Sequence, residues 1–290
     1  MKNISFLGLG VMGYPMAGHL ANKSGCAITV YNRTEAKADK WLGEYKGAKA
    51  VTPAEAAKDQ DLICLCVGND DDLRNVLTGP NGVAETVKEG AIVVDHTTVS
   101  ADVSREMSAY FADKGVTFLD APVSGGEAGA VNGVLTVMVG GDKAAYDKVA
   151  PLFKQVYARE IRHMGDSGAG QLTKMVNQMC IAGVLQGLAE GLSFGMKSGL
   201  DMDEVLAVIS AGSAQSWQME NRGKTMVADK FDFGFAVDWI YKDLGIALDE
   251  AENNGAVLNM TRQIREYYKE LQDAGHGRCD ASALIKRLVT

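Results

Sequence analysis

Short apolar runs alternate with longer amphipathic stretches through the first half of the chain. The runs ISFLGL, AITVYN, DLICLCV, AIVVDHT, TFLDAPV and LTVMVGG read as strands. Between them, MGYPMAGHLANKS, TEAKADKWLGE, DDLRNVLTG, SADVSREMSAYFADKG and KAAYDKVAPLFKQV repeat their apolar positions at helical spacing. Strands that are apolar on both faces and are each followed by a helix predict a parallel sheet covered on both sides. After Gly165 the alternation stops. Only helical periodicity remains, with breaks near Gly199, Gly212, Phe233, Gly255 and Gly275. The pattern therefore predicts an α/β domain over residues 1–164 and an all-α domain over 165–290. The run GDSGAGQLTKMVNQMCIAGVLQGLAEGLSFGMKSG joins them as a long helix. It is apolar nearly all round, which predicts burial by both domains. Lys174 and Asn177 stand in this helix where a core would carry Leu. An unpaired buried ammonium is costly, so these residues either face water or perform chemistry.

Composition narrows the class without naming a function. The chain has 290 residues, 47% apolar and 23% charged, which suits a soluble globular protein of two domains or one large one. A net charge of -8 argues against general nucleic-acid affinity. The N-terminus lacks the features of a signal peptide. Gln186, Glu190 and several glycines interrupt the one strongly apolar stretch, so no membrane span is expected. The five cysteines are odd in number, scattered and without a CxxC pair, as in a reduced, cytoplasmic protein. Cys64 and Cys66 read as strand packing residues. His19, His96, His163 and His276 show no metal-ligand spacing, and no metal is expected.

The first strand runs into Gly8-Leu9-Gly10-Val11-Met12-Gly13, a G-x-G-x-x-G turn that opens a helix. That context is the one a dinucleotide fingerprint requires. Gly8 permits the tight turn, Gly10 the approach of a pyrophosphate, and Gly13 the packing of helix on strand. Amide groups at the helix start would then hold the phosphates. A purely structural strand-helix turn is the competing reading. The second strand ends in Asn32-Arg33-Thr34 rather than in the acidic residue that would bind the ribose of NAD. Arg33 can pair with a 2′-phosphate, with Asn32 and Thr34 as hydrogen-bond partners. NADP is the expected cofactor and NAD the alternative. Arg33 as a solvated turn residue, with Thr34 capping the next helix, would equally explain the spacing.

Four stretches, FLGLGVMGYPMAGHL, DAPVSGGEAGAVNGVLTVMVGG, GDSGAGQLTKMVNQ and KDLGIALDEA, together resemble the β-hydroxyacid dehydrogenases, with 6-phosphogluconate dehydrogenase as a distant relative. The resemblance spans essentially the whole chain. It implies a Rossmann-type N-terminal domain, a helical C-terminal domain for substrate and oligomerisation, and an active site in the cleft between them. It also implies hydride transfer between NADP(H) and a small 3-hydroxy acid, 3-hydroxyisobutyrate-like, or its semialdehyde, and a homodimer or homotetramer. Lys174 matches the family's catalytic lysine. Burial would lower its pKa toward neutrality, which suits a general acid and base. Asn177 matches an amide that assists it, although Gln178 occupies the offset some members use, and the sequence leaves both open. Ser124, Gly125 and Gly126 match the substrate-carboxylate turn, and Trp217 lies where members shape the substrate pocket. Cys66, Val67, Thr98 and Lys242 match cofactor contacts. For Lys242, an ordinary surface lysine paired with Asp238 or Asp243 is the plainer reading. Two alternatives stand beside the dehydrogenase: an imine reductase of the same fold, which would replace the lysine by Asp or Tyr, and a catalytically silent NADP-binding module.

Overall fold

The computed structural model describes residues 1–289. The chain forms two compact units, Met1–Lys174 and the remainder from Met175. The first carries, in order, β1 (Asn3–Leu7), α1 (Gly13–Lys23), β2 (Ala27–Tyr31), α2 (Glu35–Glu44), β3 (Ala48–Lys49), α3 (Pro53–Ala57), β4 (Leu62–Leu65), α4 (Asp70–Thr78), β5 (Ile92–Asp95) and α5 (Ala101–Ala112). It continues with β6 (Thr117–Asp120), β7 (Val123–Ser124), α6 (Gly126–Asn132), β8 (Leu135–Gly141), α7 (Lys143–Val156), β9 (Ala158–Gly165) and the start of α8 (Ala169–Lys197).

Six strands lie parallel in the order β3-β2-β1-β4-β5-β6, with Leu7 of β1 between Tyr31 and Leu65. The two-residue period divides each strand between two cores. Ile4, Phe6 and Val94 pack with Leu20 of α1 and Phe153 of α7. Leu7, Ile63 and Val93 pack with Leu73 of α4 and Phe111 of α5 on the other face. The strand order reverses between β1 and β4. In open sheets of this kind, the carboxyl ends of the strands at such a reversal form the ligand crevice.

The sheet is not wholly parallel. β8 runs antiparallel to β6 and β7, pairing Gly140 with Asp120 and Thr136 with Ser124. Residues 125–134 hold only the short α6, and a parallel return needs a crossover of about a dozen residues or more. β9 pairs with β8 alone. Its charged Arg159, Glu160 and Arg162 and two register irregularities hide the strand pattern in the sequence.

The second unit is helical. It takes the rest of α8 and adds α9 (Met202–Ile209), α10 (Trp217–Val227), α11 (Val237–Asn254), α12 (Asn259–Asp273) and a closing 3-10 segment, Ala281–Arg287. Its core gathers Leu185, Leu192, Ile240, Leu244, Ile264 and Tyr268. Buried Asp280 fastens the closing segment, accepting from Arg222 Nε at 3.2 Å, Phe235 N at 3.0 Å and Ser282 Oγ at 2.6 Å. The interruption expected in α8 is absent. The helix is continuous over 29 residues and, by length and composition, is long and apolar enough to cross a membrane. None of its glycines breaks it: Gly187 and Gly191 meet open space, and Gly183 and Gly195 fit neighbours. A Cβ on Gly183 would lie 2.9 Å from Met260, and one on Gly195 2.8 Å from Met202.

Candidate active site

The loop after β1 divides its glycines by task. Gly8 has φ +94°, and a Cβ there would sit 2.2 Å from the Cys66 carbonyl oxygen. A Cβ on Gly13 would come within 2.0 Å of the Gly8 carbonyl oxygen. Both positions are therefore glycine for the protein's own packing. At Gly10 a Cβ would meet nothing within 4 Å. The space in front of Gly10 is a cradle that a side chain would fill, and it is open to the approach of a pyrophosphate. Tyr14 N donates to Gly10 O at 3.0 Å. The amides of Val11, Met12 and Gly13 thus belong to the first turn, where no intrahelical acceptor precedes them. α1 has no side-chain cap and no acidic residue in that turn, so nothing competes with an anion there.

Leu9 and Asn32 hold this loop rather than face outward. Leu9 is buried, and its N–H donates to Asn32 Oδ1 at 2.8 Å. Asn32 Nδ2 donates to Thr34 O at 2.9 Å. The amide expected to meet a phosphate is engaged at both ends and ties the end of β2 to the fingerprint loop. Thr34 occupies the N-cap position of α2 without a side-chain cap bond. Arg33 has an 80% exposed side chain and pairs with Asp72 at 3.0 Å. An exposed pair of this kind is worth little, about 0–1 kcal/mol, and a stronger anion can displace it.

The ends of β4 and β5 complete this side. Cys66 N donates to Leu7 O at 2.9 Å, and Val67 N to Thr97 Oγ1 at 2.9 Å. Thr98 is half-buried in the next loop. Gly8, Asn32, Cys66 and Thr98 therefore lie at the carboxyl ends of four neighbouring strands, β1, β2, β4 and β5. Ser124 lies further along the sheet, at the end of β7. It is half-buried, and Gly125 (φ +127°) and Gly126 (φ +60°) follow it at positive φ, a region glycine enters most freely.

Two residues not singled out from the sequence fix the start of α8. Gln171 is fully buried; its Oε1 accepts from Val99 N at 3.2 Å and its Nε2 donates to Thr97 O at 2.8 Å. Asp120, also fully buried, accepts from Gly168 N at 2.7 Å and Gln171 N at 3.0 Å. Burial pushes the Asp120 carboxyl pKa up, opposed by these backbone bonds. A Cβ on Gly170 would lie 2.4 Å from Met138 O. The signals were a lone Gln at the head of an apolar run and an Asp closing an apolar strand.

Lys174 follows Gln171 by three residues and is 7% exposed. In the helical unit, Asn177 Nδ2 donates to Gln178 Oε1 at 2.8 Å, and Gln178 Nε2 donates to Asp243 Oδ2 at 2.6 Å. Lys242 Nζ stands 3.2 Å from Asp243 Oδ1, at ion-pair range rather than in an aligned hydrogen bond. Asp238 instead accepts from Gln272. Trp217 begins α10, is half-exposed, and stacks on the Arg222 guanidinium at 5.0 Å.

Comparison with known proteins agrees with this fold. Residues 3–165 match a family model described as the NAD binding domain of 6-phosphogluconate dehydrogenase. Residues 168–288 match one described as the NAD-binding domain of NADP-dependent 3-hydroxyisobutyrate dehydrogenase. An oxidoreductase of Shewanella frigidimarina is 57% identical over 99% of this chain and 98% of its own. The 2-(hydroxymethyl)glutarate dehydrogenase of Eubacterium barkeri is 36% identical over 98% of this chain and 93% of its own. The solved structure of Mycobacterium tuberculosis 3-hydroxyisobutyrate dehydrogenase with L-serine aligns over 100% of both chains, with a TM-score of 0.89 and 29% identity. The Rossmann crevice, the helical second unit and these matches make the chain a member of the β-hydroxyacid dehydrogenase family, nicotinamide-dependent oxidoreductases that act on the CH–OH group of small hydroxy acids.

Proposed function

We propose that this protein interconverts a small 3-hydroxy acid and its semialdehyde with NADP(H), using Lys174 as general acid and base. The observation that carries the reading is the burial of Lys174 on a helix whose first turn is bolted to the loop after β5 and to Asp120 at the end of β6. A bound nicotinamide supplies or accepts the hydride. Oxidation must also remove the hydroxyl proton. Lys174 in its neutral form takes that proton, and as ammonium it returns it to the carbonyl oxygen during reduction. Burial lowers the cost of the neutral form relative to the charged one. Asn177 lies three residues on, on the same face of α8, and orients the proton-bearing group. Ser124 and the amides of Gly125 and Gly126 receive the substrate carboxylate, with Trp217 shaping its pocket. Cys66, Val67, Thr98 and Lys242 contact the cofactor.

Chemistry shared by the relatives supports the substrate class. Both 2-(hydroxymethyl)glutarate and 3-hydroxyisobutyrate carry a hydroxyl on the carbon β to a carboxylate. Arg33 supports NADP, because β2 ends in Asn32-Arg33-Thr34 without an acidic residue, and the exposed pair of Arg33 with Asp72 is weak enough to yield to a 2′-phosphate. Turnover of a panel of 3-hydroxy acids and semialdehydes with NADP and NAD tests the whole reading. Lys174→Ala should lower kcat by about 10²- to 10⁴-fold while the cofactor Kd stays unchanged. Near wild-type kcat in that variant rules out the lysine, and a higher kcat/KM with NAD rules out the cofactor preference.

A further inference from the structure

The chain Asn177–Gln178–Asp243 has a direction. Gln178 and Asp243 are each 1% exposed, so water does not arbitrate their bonds. Asp243 is a carboxylate beside the Lys242 ammonium and can only accept. Gln178 must then turn its NH₂ toward Asp243, at 2.6 Å, and its carbonyl toward Asn177. That carbonyl can only accept, so Asn177 must turn its NH₂ toward Gln178, at 2.8 Å. An amide on its own rotates by half a turn with little penalty. Here rotation of either amide would set carbonyl oxygen against carbonyl or carboxylate oxygen in a buried place. Asn177 is thereby held with its Oδ1 as the group it offers to other partners, and this group is an acceptor.

We propose that Asp243 is a positioning residue. Acting through Gln178, it fixes Asn177 as a hydrogen-bond acceptor for a proton-bearing group, the Lys174 amine or the substrate hydroxyl, on the lysine's face of α8. This rests on the proposed roles of Lys174 and Asn177. It also divides the work between the two amides that the sequence left open: Asn177 meets the reacting groups and Gln178 transmits the orientation.

The test inverts the chain and then restores it. Asp243→Asn keeps the shape but places Oδ1 toward Lys242 and NH₂ toward Gln178. Both amides then reverse, and Asn177 offers a donor. The expected result is a fall of about 10- to 100-fold in kcat/KM with cofactor Kd unchanged. The second substitution Asn177→Asp is also harmful alone, because it faces the Gln178 carbonyl. Combined, Asp243→Asn with Asn177→Asp moves the carboxylate to the other end of the chain and again presents an acceptor. The double variant should recover activity above either single one, which a merely structural aspartate would not produce. If a poorly expressed Asp243→Asn prevents this, Gln178→Met leaves the Lys242–Asp243 pair intact and should lower kcat/KM alike. A fall mainly in kcat assigns the partner as Lys174, and a rise mainly in KM assigns it as the substrate hydroxyl. Wild-type kcat/KM in Asp243→Asn or Gln178→Met, or no recovery in the double variant, overturns the proposal. Wild-type kinetics in Asn177→Ala would instead remove the role of Asn177 on which it rests.

Discussion

Gly10 and Gly13 are the same residue type three positions apart, and they answer to different forces. The Cβ of Gly13→Ala would collide with the Gly8 carbonyl oxygen, which cannot yield without moving β1. That variant should lose about 1–3 kcal/mol of stability, read by urea denaturation of the cofactor-free protein. Gly10→Ala meets open space. It should keep its stability and lose NADP affinity, read by titrating nicotinamide fluorescence. Equal loss of stability in the two variants would contradict this division. The strand-turn-helix geometry of this loop was legible because glycines at this spacing after an apolar strand call for such a turn. Asn32 was visible as a polar residue, but its bonds to Leu9 and Thr34 were not, because they depend on two loops meeting in space.

At the scale of elements, the two-residue β3 and the five-residue α3 were too short to show, but β1, β2, β4, β5, β6, β8 and the helical breaks were legible, since each carried its own apolar period. β9 and α6 were not: one is a charged sheet edge, and the other a Gly-rich helix seven residues long. The anchoring of α8 was equally hidden, because Gln171 and Asp120 are 51 residues apart in sequence. A second link between elements is buried His96, at the end of β5. Its Nδ1–H donates to Ala121 O at 2.8 Å, so its Nε2 accepts from the Tyr157 hydroxyl at 2.9 Å. Desolvation pushes its pKa down from 6.5 to about 4. The folded protein thus holds this imidazole neutral over a range where the unfolded chain protonates it. The stability this contributes is complete above pH 6.5 and is lost as pH falls from 6.5 toward 4, by about 3 kcal/mol over the full window. His96→Gln can keep both bonds and does not titrate. Denaturation of both proteins at pH 7 and pH 5 should show wild type losing more stability on acidification. Parallel losses would assign the acid sensitivity elsewhere.

For the whole molecule, the stop in strand-helix alternation after Gly165 made the two-part architecture legible. What stayed hidden is the finer chemistry of the pocket, because substrate choice among small hydroxy acids turns on contacts worth about 1–3 kcal/mol. The same sheet offers a way to follow the protein's opening from within. Cys64 lies fully buried on β4, and burial pushes its thiol pKa well up, whereas Cys180 on α8 is exposed. Alkylation requires a thiolate that the reagent can reach. Cys180 should therefore react at once with a maleimide, while Cys64 waits for the central sheet to come apart. The slow phase of labelling, followed by mass spectrometry of the digested protein, becomes a clock for global unfolding under native conditions. Saturating NADP should lengthen that phase in proportion to 1 + [NADP]/Kd. Labelling of Cys64 as fast as Cys180 would mean that the sheet opens locally, without the rest of the fold.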